Sequence, residues 1–237
     1  MSTQAAEAPV NQSVERAARM LGLFSVDEPE LTLTELTSRM GLTKATGHRY
    51  ATALRRAGLL RASNGVYSLG PRVVELAAAA LAGLGVIRVA EPYMLRLVSE
   101  TGQTTVLSVW DGEAPVVVRV TENHERLVRI VVAAGSRLPP DSAQGQVFRA
   151  FLGENGDPEL EAVRRDQLAA NAVVVEGVTA VAAPVFQGEQ IVATMALVGT
   201  SATIDAEAAS MMTAALRDAA TGLSTELGFV QNRKETR

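Results

Sequence analysis

The sequence predicts an α+β protein: an N-terminal winged helix-turn-helix, a linker helix, and a C-terminal α/β domain. Three observations carry this. Two short helical stretches, Thr32–Met40 and the one beginning near Lys44, are separated by a few residues around Gly41, which is the helix-turn-helix pattern. A hairpin signal, Ser63-Asn64-Gly65, follows between two short apolar runs. Charge also divides the chain. Residues 1–85 hold nine Lys/Arg against seven Asp/Glu, a formal +2; residues 86–237 hold thirteen against nineteen, a formal −6; together they give the net −4. A basic front and an acidic back in 237 residues suggest two domains with different partners.

Met1 to Gln12 is small and polar and reads as a frayed end. Ser13 to Phe24 reads as a first helix, capped by Ser13, with Val14, Ala17, Leu21 and Phe24 as its apolar face. Asp27, Glu28 and Pro29 break it. In the second helix Thr32 and Glu35 form a capping box, and Gly41 stands where a C′ glycine ends a helix. Leu60–Ala62 and Val66–Leu69 flank the Asn64-Gly65 turn, so Arg61 and Asn64 belong to the wing. These elements make up residues 1–70, the linker helix covers 71–85, and the second domain covers 86–237.

The stretch Thr43 to Leu60 is the one around which the first domain is organised. Thr43 caps it, Gly58 ends it, and Tyr50, Leu54 and Ala57 give one buried stripe. Lys44, Thr46, His48, Arg49, Arg55 and Arg56 occupy the remaining surface. No Asp or Glu lies between Glu35 and Glu75, while that window holds Arg39, Lys44, Arg49, Arg55, Arg56, Arg61 and Arg72. Such a block in an acidic protein is the footprint of a phosphate-binding face. The candidate DNA-binding residues are therefore Thr32, Thr43, Lys44, Thr46, His48, Arg49, Arg55, Arg56, Arg61 and Asn64.

Beyond the linker, Val86–Glu100 reads as an amphipathic helix with Ile87, Met94, Leu97 and Val98 inward. Thr104–Trp110, Ala114–Val120 and Leu127–Ala133 read as strands. Gly135–Gln144 reads as a loop, Gln146–Leu152 and Pro158–Leu168 as helices, and Val178–Phe186 with Gln190–Val198 as a hairpin. Asp205 caps a last helix to about Leu227, and Gln231–Arg237 is a polar tail.

Catalytic and metal motifs are missing. The chain has no cysteine, and its two histidines, His48 and His124, stand in unrelated settings. It lacks HExxH, P-loop and GxSxG motifs. Asp205 and Glu207 are paired acids at a helix start, where the dipole favours them. No metal, no cofactor and no catalytic residue is expected. A cysteine-free chain fits a reducing compartment. Met1–Val10 has no signal-peptide pattern, and no apolar run is long enough for a membrane span, so a cytoplasmic protein is expected.

The segments SVERAARML at 13–21, LTLTELTSRMGLTKATGHRYATALRRAGLL at 31–60 and YSLGPRVVELA at 67–77 resemble the N-terminal domain of IclR-family transcriptional regulators. The likeness resumes in ETGQTTVLSVWDG at 100–112, GSRLP at 135–139 and GVTAVAAPVF at 177–186. It implies a DNA-binding winged helix, a linker helix and a GAF-like α/β sensor domain for a small effector, in dimers that pair into tetramers. It also implies that the 135–139 loop and the Val178–Pro184 strand line the effector cavity. The candidate effector residues are Ser108 and Trp110; Ser136, Leu138, Ser142, Ala143 and Gly145; and Ala180, Val181 and Ala182. Backbone N–H groups at the helix start near Ser142 suit a carboxylate, hence a small organic acid. Trp110 either covers the cavity or anchors the core, and Arg137 either neutralises an acid or is a plain surface arginine.

The sequence departs from the family pattern in places. Asp141 stands where histidine is frequent, Gln146 where lysine is, and Ala180 where cysteine is common. Arg165–Gly177 is abbreviated. Gly47 replaces a usually apolar residue; it either admits close approach to DNA or weakens the helix, at about 1 kcal/mol relative to alanine. The reading is a regulator, a repressor on family habit, whose affinity for double-stranded operator DNA is modulated by a small organic acid. A ligand-binding or oligomerisation protein using its winged helix for protein contacts is the alternative, and a nucleic-acid-processing enzyme the third choice. The linker segment Val73–Leu84 is too apolar to lie bare and is expected to pack against its counterpart in a homodimer.

Overall fold

Asn11, not Ser13, begins the first helix. In the computed structural model, which describes residues 11–123, 132–153, 156–171, 177–200 and 206–228, the Asn11 side chain accepts from the Ser13 N–H at 3.1 Å and caps α1 (Gln12–Leu21). The helix ends at Gly22, short of Phe24. Only its C-terminal half meets the core. Met20 is fully buried, Ala17 and Leu21 are half-buried, and Val14, expected on the apolar face, is exposed.

The next two helices follow their capping signals. Thr32 closes the two-residue strand β1 (Leu31–Thr32) and caps α2 (Leu33–Met40) in a complete capping box with Glu35. Gly41 ends α2 in the left-handed region at φ 63°. Thr43 caps α3 (Lys44–Arg56) by accepting from the Thr46 N–H. The buried stripe of α3 is Gly47, Ala51 and Leu54. Tyr50 is only half-buried and Ala57 is exposed, so the expected stripe was one position out of phase. The reason is Gly47. A Cβ there would lie 2.1 Å from Thr37 Cγ2 of α2, so the two helices cross where one side chain is missing. Gly47 therefore serves the packing of α2 on α3, on the face turned away from solvent.

Strands β2 (Leu60–Ser63) and β3 (Val66–Leu69) form the wing hairpin. Asn64 and Gly65, at φ 51° and 83°, both take the positive angles of a type I′ turn. β1 adds a third strand, giving the order β1-β3-β2, through pairs Leu31–Tyr67 and Thr32–Val66. Met20, Leu31, Leu36, Leu54, Leu60 and Tyr67 belong to the core of this unit. Helix α4 (Pro71–Gly83) follows, and none of its side chains is buried. The chain divides into two units between Ala82 and Gly83.

The second unit opens with α5 (Gly85–Thr101), which Gly102 ends at φ 67°. Strands β4 (Thr104–Trp110) and β5 (Pro115–Thr121) are followed by α6 (Ala143–Leu152) and α7 (Pro158–Asp166). Then come β6 (Ala169–Asn171), β7 (Val178–Gln187), β8 (Gln190–Thr200) and α8 (Ala206–Glu226). The strands make one antiparallel sheet in the order β5-β4-β8-β7-β6. One face packs on α5 and α8 through Met94, Leu97, Leu107, Met195, Leu216 and Leu223. The other packs on α6 and α7 through Val147, Leu160, Val163, Ala182 and Ala196.

Two elements depart from expectation. Helix α6 starts three residues early because Ser142 caps it, its hydroxyl accepting from the Gly145 N–H. The short edge strand β6 was not foreseen. Of the expected strand Leu127–Ala133, residues 127–131 lie outside the described residues, and Val132 and Ala133 are not in a strand. The two tails at 1–10 and 229–237, His124, the Asp205 cap and residues 172–176 of the abbreviated segment also lie outside them.

Candidate nucleic-acid interface and effector site

Helix α3 presents its four Lys/Arg side chains and His48 on its exposed surface. At 100° per residue, Arg49 and Arg56 point directly away from Gly47, Ala51 and Leu54, and Lys44, His48 and Arg55 form the adjoining stripe. All five are exposed, and among the described residues none is in an ion pair. Thr43 is exposed at the helix start, donating from its hydroxyl to Thr46 Oγ1 at 3.0 Å. Thr46 is half-buried on the flank next to Tyr50. On the wing, Arg61 is exposed and its Nε donates to Ser68 Oγ at 2.8 Å, while Asn64 stands exposed at the tip.

Thr32 is engaged differently. Its hydroxyl donates to the Glu35 carboxylate at 2.8 Å and accepts the Glu35 N–H, so it serves the α2 cap first. The acid-free window is also less positive than its sequence. Arg39 makes a two-pronged contact with Glu28 at 2.7 and 2.8 Å, and the Arg39 guanidinium lowers the Glu28 pKa. Arg72 pairs with Glu75 at 2.8 Å. Acids from outside the window thus neutralise two of its seven cations, and the free charge is concentrated on α3 and the wing.

In the second unit the candidate effector residues converge on the sheet face beneath α6, with one exception. Ser108 Oγ donates to Gln144 Oε1 at 2.7 Å, both side chains buried. Trp110 lies 5.3 Å, centroid to centroid, from Phe148 of α6. Ala180 and Ala182 face the same helix. Val181 does not. Side chains alternate along a strand, and Val181 is packed into the α5/α8 core, so its place among the effector residues is corrected. The 135–138 segment runs along the outer edge of β5, with Val117 N–H donating to Ser136 C=O and Leu138 N–H to Pro115 C=O. Arg137 bridges to Val116, and alternation about that bridge turns Ser136 and Leu138 toward the α6 face. Arg137 itself clamps the β4–β5 turn through Asp111 and Glu113 at 2.8 and 2.7 Å. Burial pushes the Asp111 carboxyl up, but Arg137 and the Ala114 and Glu113 N–H groups outweigh it and hold its pKa below the usual value.

The start of α6 is the polar centre of this face. Ser142, Ala143, Gln144 and Gly145 are all buried. The Ser142 N–H donates to Pro139 C=O and the Gly145 N–H to Ser142 Oγ. The N–H groups of Ala143 and Gln144 have no partner among the described residues, as the first turn of a helix leaves them. Gly145 is required here, because a Cβ would lie 2.2 Å from Pro140 C=O oxygen and 2.9 Å from that of Pro139. Across the sheet, Thr194 pairs with Ser108, and its buried Oγ1 lacks a partner among the described residues. Sequence reasoning missed Gln144 and Thr194. Inward alternation on the last hairpin was the one signal available for Thr194, and nothing local marked Gln144.

The model of the IclR helix-turn-helix domain matches residues 13–63, and that of the bacterial transcriptional regulator IclR C-terminal domain matches residues 78–174. Together, and in this order, they cover more than half of the chain. The chain belongs to the IclR family of transcriptional regulators. The IclR chain is 35% identical to the HTH-type transcriptional regulator XynR of Escherichia coli over 150 residues, 62% of this chain and 59% of XynR, so less than two thirds of that relative is spanned. It is 28% identical to KipR of Bacillus subtilis, across 92% of this chain and 98% of KipR. A solved IclR transcriptional regulator from Alicyclobacillus acidocaldarius is 25% identical, with a TM-score of 0.76 over 93% of this chain and all of the other. Among the described residues, no single helix of this IclR protein is long and apolar enough to cross a membrane, and no group of three His, Cys, Asp or Glu could hold a metal.

Proposed function

We propose that this IclR-family chain is a cytoplasmic, homodimeric repressor that binds double-stranded operator DNA through α3 and the wing, and that a small organic acid in the second unit alters that binding. In this division residues 1–70 read DNA, 71–85 link, and 86–237 sense. One observation carries the reading: Lys44, Arg49, Arg55 and Arg56, four cations without ionic partners among the described residues, stand exposed on α3 beside His48, while Arg39 and Arg72 are neutralised by Glu28 and Glu75. Thr43, Lys44, Thr46, His48 and Arg49 lie in its first two turns, where such helices meet base edges and phosphates. Arg49→Ala is expected to weaken specific binding by roughly 1–3 kcal/mol if Arg49 reads a base. If Arg49 meets a phosphate, binding falls on all sequences and the salt slope shrinks by about one. A gel shift on genomic fragments at two salt concentrations separates these outcomes, and no change in either quantity removes Arg49 from the interface.

The homodimer is supported by α4. Val74, Leu76 and Leu81 are 70%, 52% and 43% exposed in the single chain; Val74 and Leu81 share one face and Leu76 lies on the other side, leaving a helix too apolar to stand in water without a partner. Light scattering at micromolar concentration is expected to give a dimer, and Leu76→Asp with Leu81→Asp a monomer. A strict wild-type monomer contradicts the proposal. Pairing of dimers into tetramers rests on the family resemblance.

The effector is supported by the orphan N–H groups of Ala143 and Gln144, which suit a carboxylate, by the Thr194 hydroxyl, and by the alanine lining at 180 and 182. Ser136, Leu138 and Trp110 border the same face. A bound acid changes operator affinity only as far as it favours one arrangement of the protein over another, about 1–3 kcal/mol in typical cases.

A further inference from the structure

Helix α1 lies outside the helix-turn-helix, yet it lines a groove of about 760 Å³ together with the outward side of α3. Ser13 and Arg16 come from α1, and Thr46, Arg49, Tyr50 and Arg56 from α3. No acid lines it, and among the described residues none of the three arginines is in an ion pair. Three guanidiniums around one groove repel each other unless an anion joins them. Tyr50 connects the two helices: the Ser13 side chain first, then that of Arg16, lowers the pKa of its phenol. The groove therefore offers forked cation donors beside the hydroxyls of Ser13, Thr46, Tyr50 and Thr52, a donor set that matches phosphate oxygens.

We infer that this groove seats a backbone phosphate of the bound duplex, with Arg16 of α1 acting alongside Arg49 and Arg56. The inference rests on the DNA-binding reading above and extends the footprint beyond the helix-turn-helix and wing. Arg16 carries no sequence information in this role. It fixes register and adds affinity on every duplex.

The test uses the full chain and a fluorescent duplex of arbitrary sequence, titrated between 50 and 200 mM salt. Arg16→Gln should lower the slope of log K against log salt by about one, so that the wild-type advantage changes roughly three- to fourfold across that range. Arg16→Lys should keep the slope, and thermal melts should show Arg16→Gln folded like the wild type. A slope lowered by Arg49→Ala but untouched by Arg16→Gln overturns the inference while leaving the DNA-binding reading intact. A wild type without salt-dependent binding to any duplex overturns both. Inorganic phosphate at constant ionic strength forms the other arm. If it protects the wild type but not Arg16→Gln against melting, and the DNA slopes stay equal, the groove holds a free anion and the inference fails.

Discussion

Gly145→Ala should destabilise the second unit by several kcal/mol and abolish effector binding. The added methyl would meet the backbone of Pro139 and Pro140, with the nearest oxygen 2.2 Å away. Backbone cannot rotate aside as a side chain does, so either the Pro139-Pro140 loop lifts or the first turn of α6 unwinds. Overpacking typically costs about 1–3 kcal/mol, and this contact is closer than most. Either movement also displaces the Ser142 hydroxyl that holds Gly145 N–H, and with it the two free amides of that helix end. Thermal unfolding measures the first effect. The second is read by titrating wild type and variant with aromatic and aliphatic acids while following Trp110 fluorescence, since Trp110 rests on Phe148 of α6. A variant as stable as the wild type would show that the loop yields easily and that the α6 start is no rigid site.

Gly47→Ala should destabilise the first unit by about 1–3 kcal/mol, although alanine is the better helix former by about 1 kcal/mol. Thr37 Cγ2 lies 2.1 Å from the new methyl. Thr37 cannot easily turn away, because its hydroxyl donates to Leu33 C=O at 2.9 Å and Thr34 C=O at 3.0 Å within α2. Thr37→Ser deletes Cγ2 alone and keeps both hydrogen bonds. The double variant should therefore recover the loss and show the helix-propensity gain, making it at least as stable as Thr37→Ser. Chemical denaturation of the four proteins closes this cycle. Additive losses would mean that the methyl collides with something other than Thr37.

These two glycines mark where the sequence was opaque. Features whose partners lie within about four residues were legible: the Thr32–Glu35 capping box, Gly41, the Asn64-Gly65 turn and the Thr43 cap all stand where the residues placed them. Gly47 and Gly145 depend on atoms ten and five residues away, and their neighbours reveal nothing of what fills the space. Edge strand β6, Ala169–Asn171, was missed for a related reason. Ala-Ala-Asn has little strand propensity, and pairing with β7 alone makes it a strand. The α3 stripe slipped in phase because Tyr50 outranks Gly47 and Ala51 in apolar bulk, whereas the crossing with α2 selects small residues. In the second unit, taking Ala180, Val181 and Ala182 as one block concealed an alternation that the strand period by itself implies. Of the basic residues between Glu35 and Glu75, those on α3 stand exposed and unpaired among the described residues, but Glu28 reached Arg39 from outside the window.

That alternation along β7 has an evolutionary consequence. Its odd positions, Val181, Ala183 and Val185, lie in a core of methionines and leucines and answer to folding alone. Ala180 and Ala182 face the helix whose first turn is the proposed recognition element. A lineage acquiring a new inducer can vary the even positions while the odd ones stay under purifying selection. In a saturation library of Val178–Gln187, tolerated substitutions should then rise and fall with a period of two. Fitness in the presence and absence of inducer should diverge at the even positions only. One strand would thereby allow regulatory specificity to drift without loss of the fold.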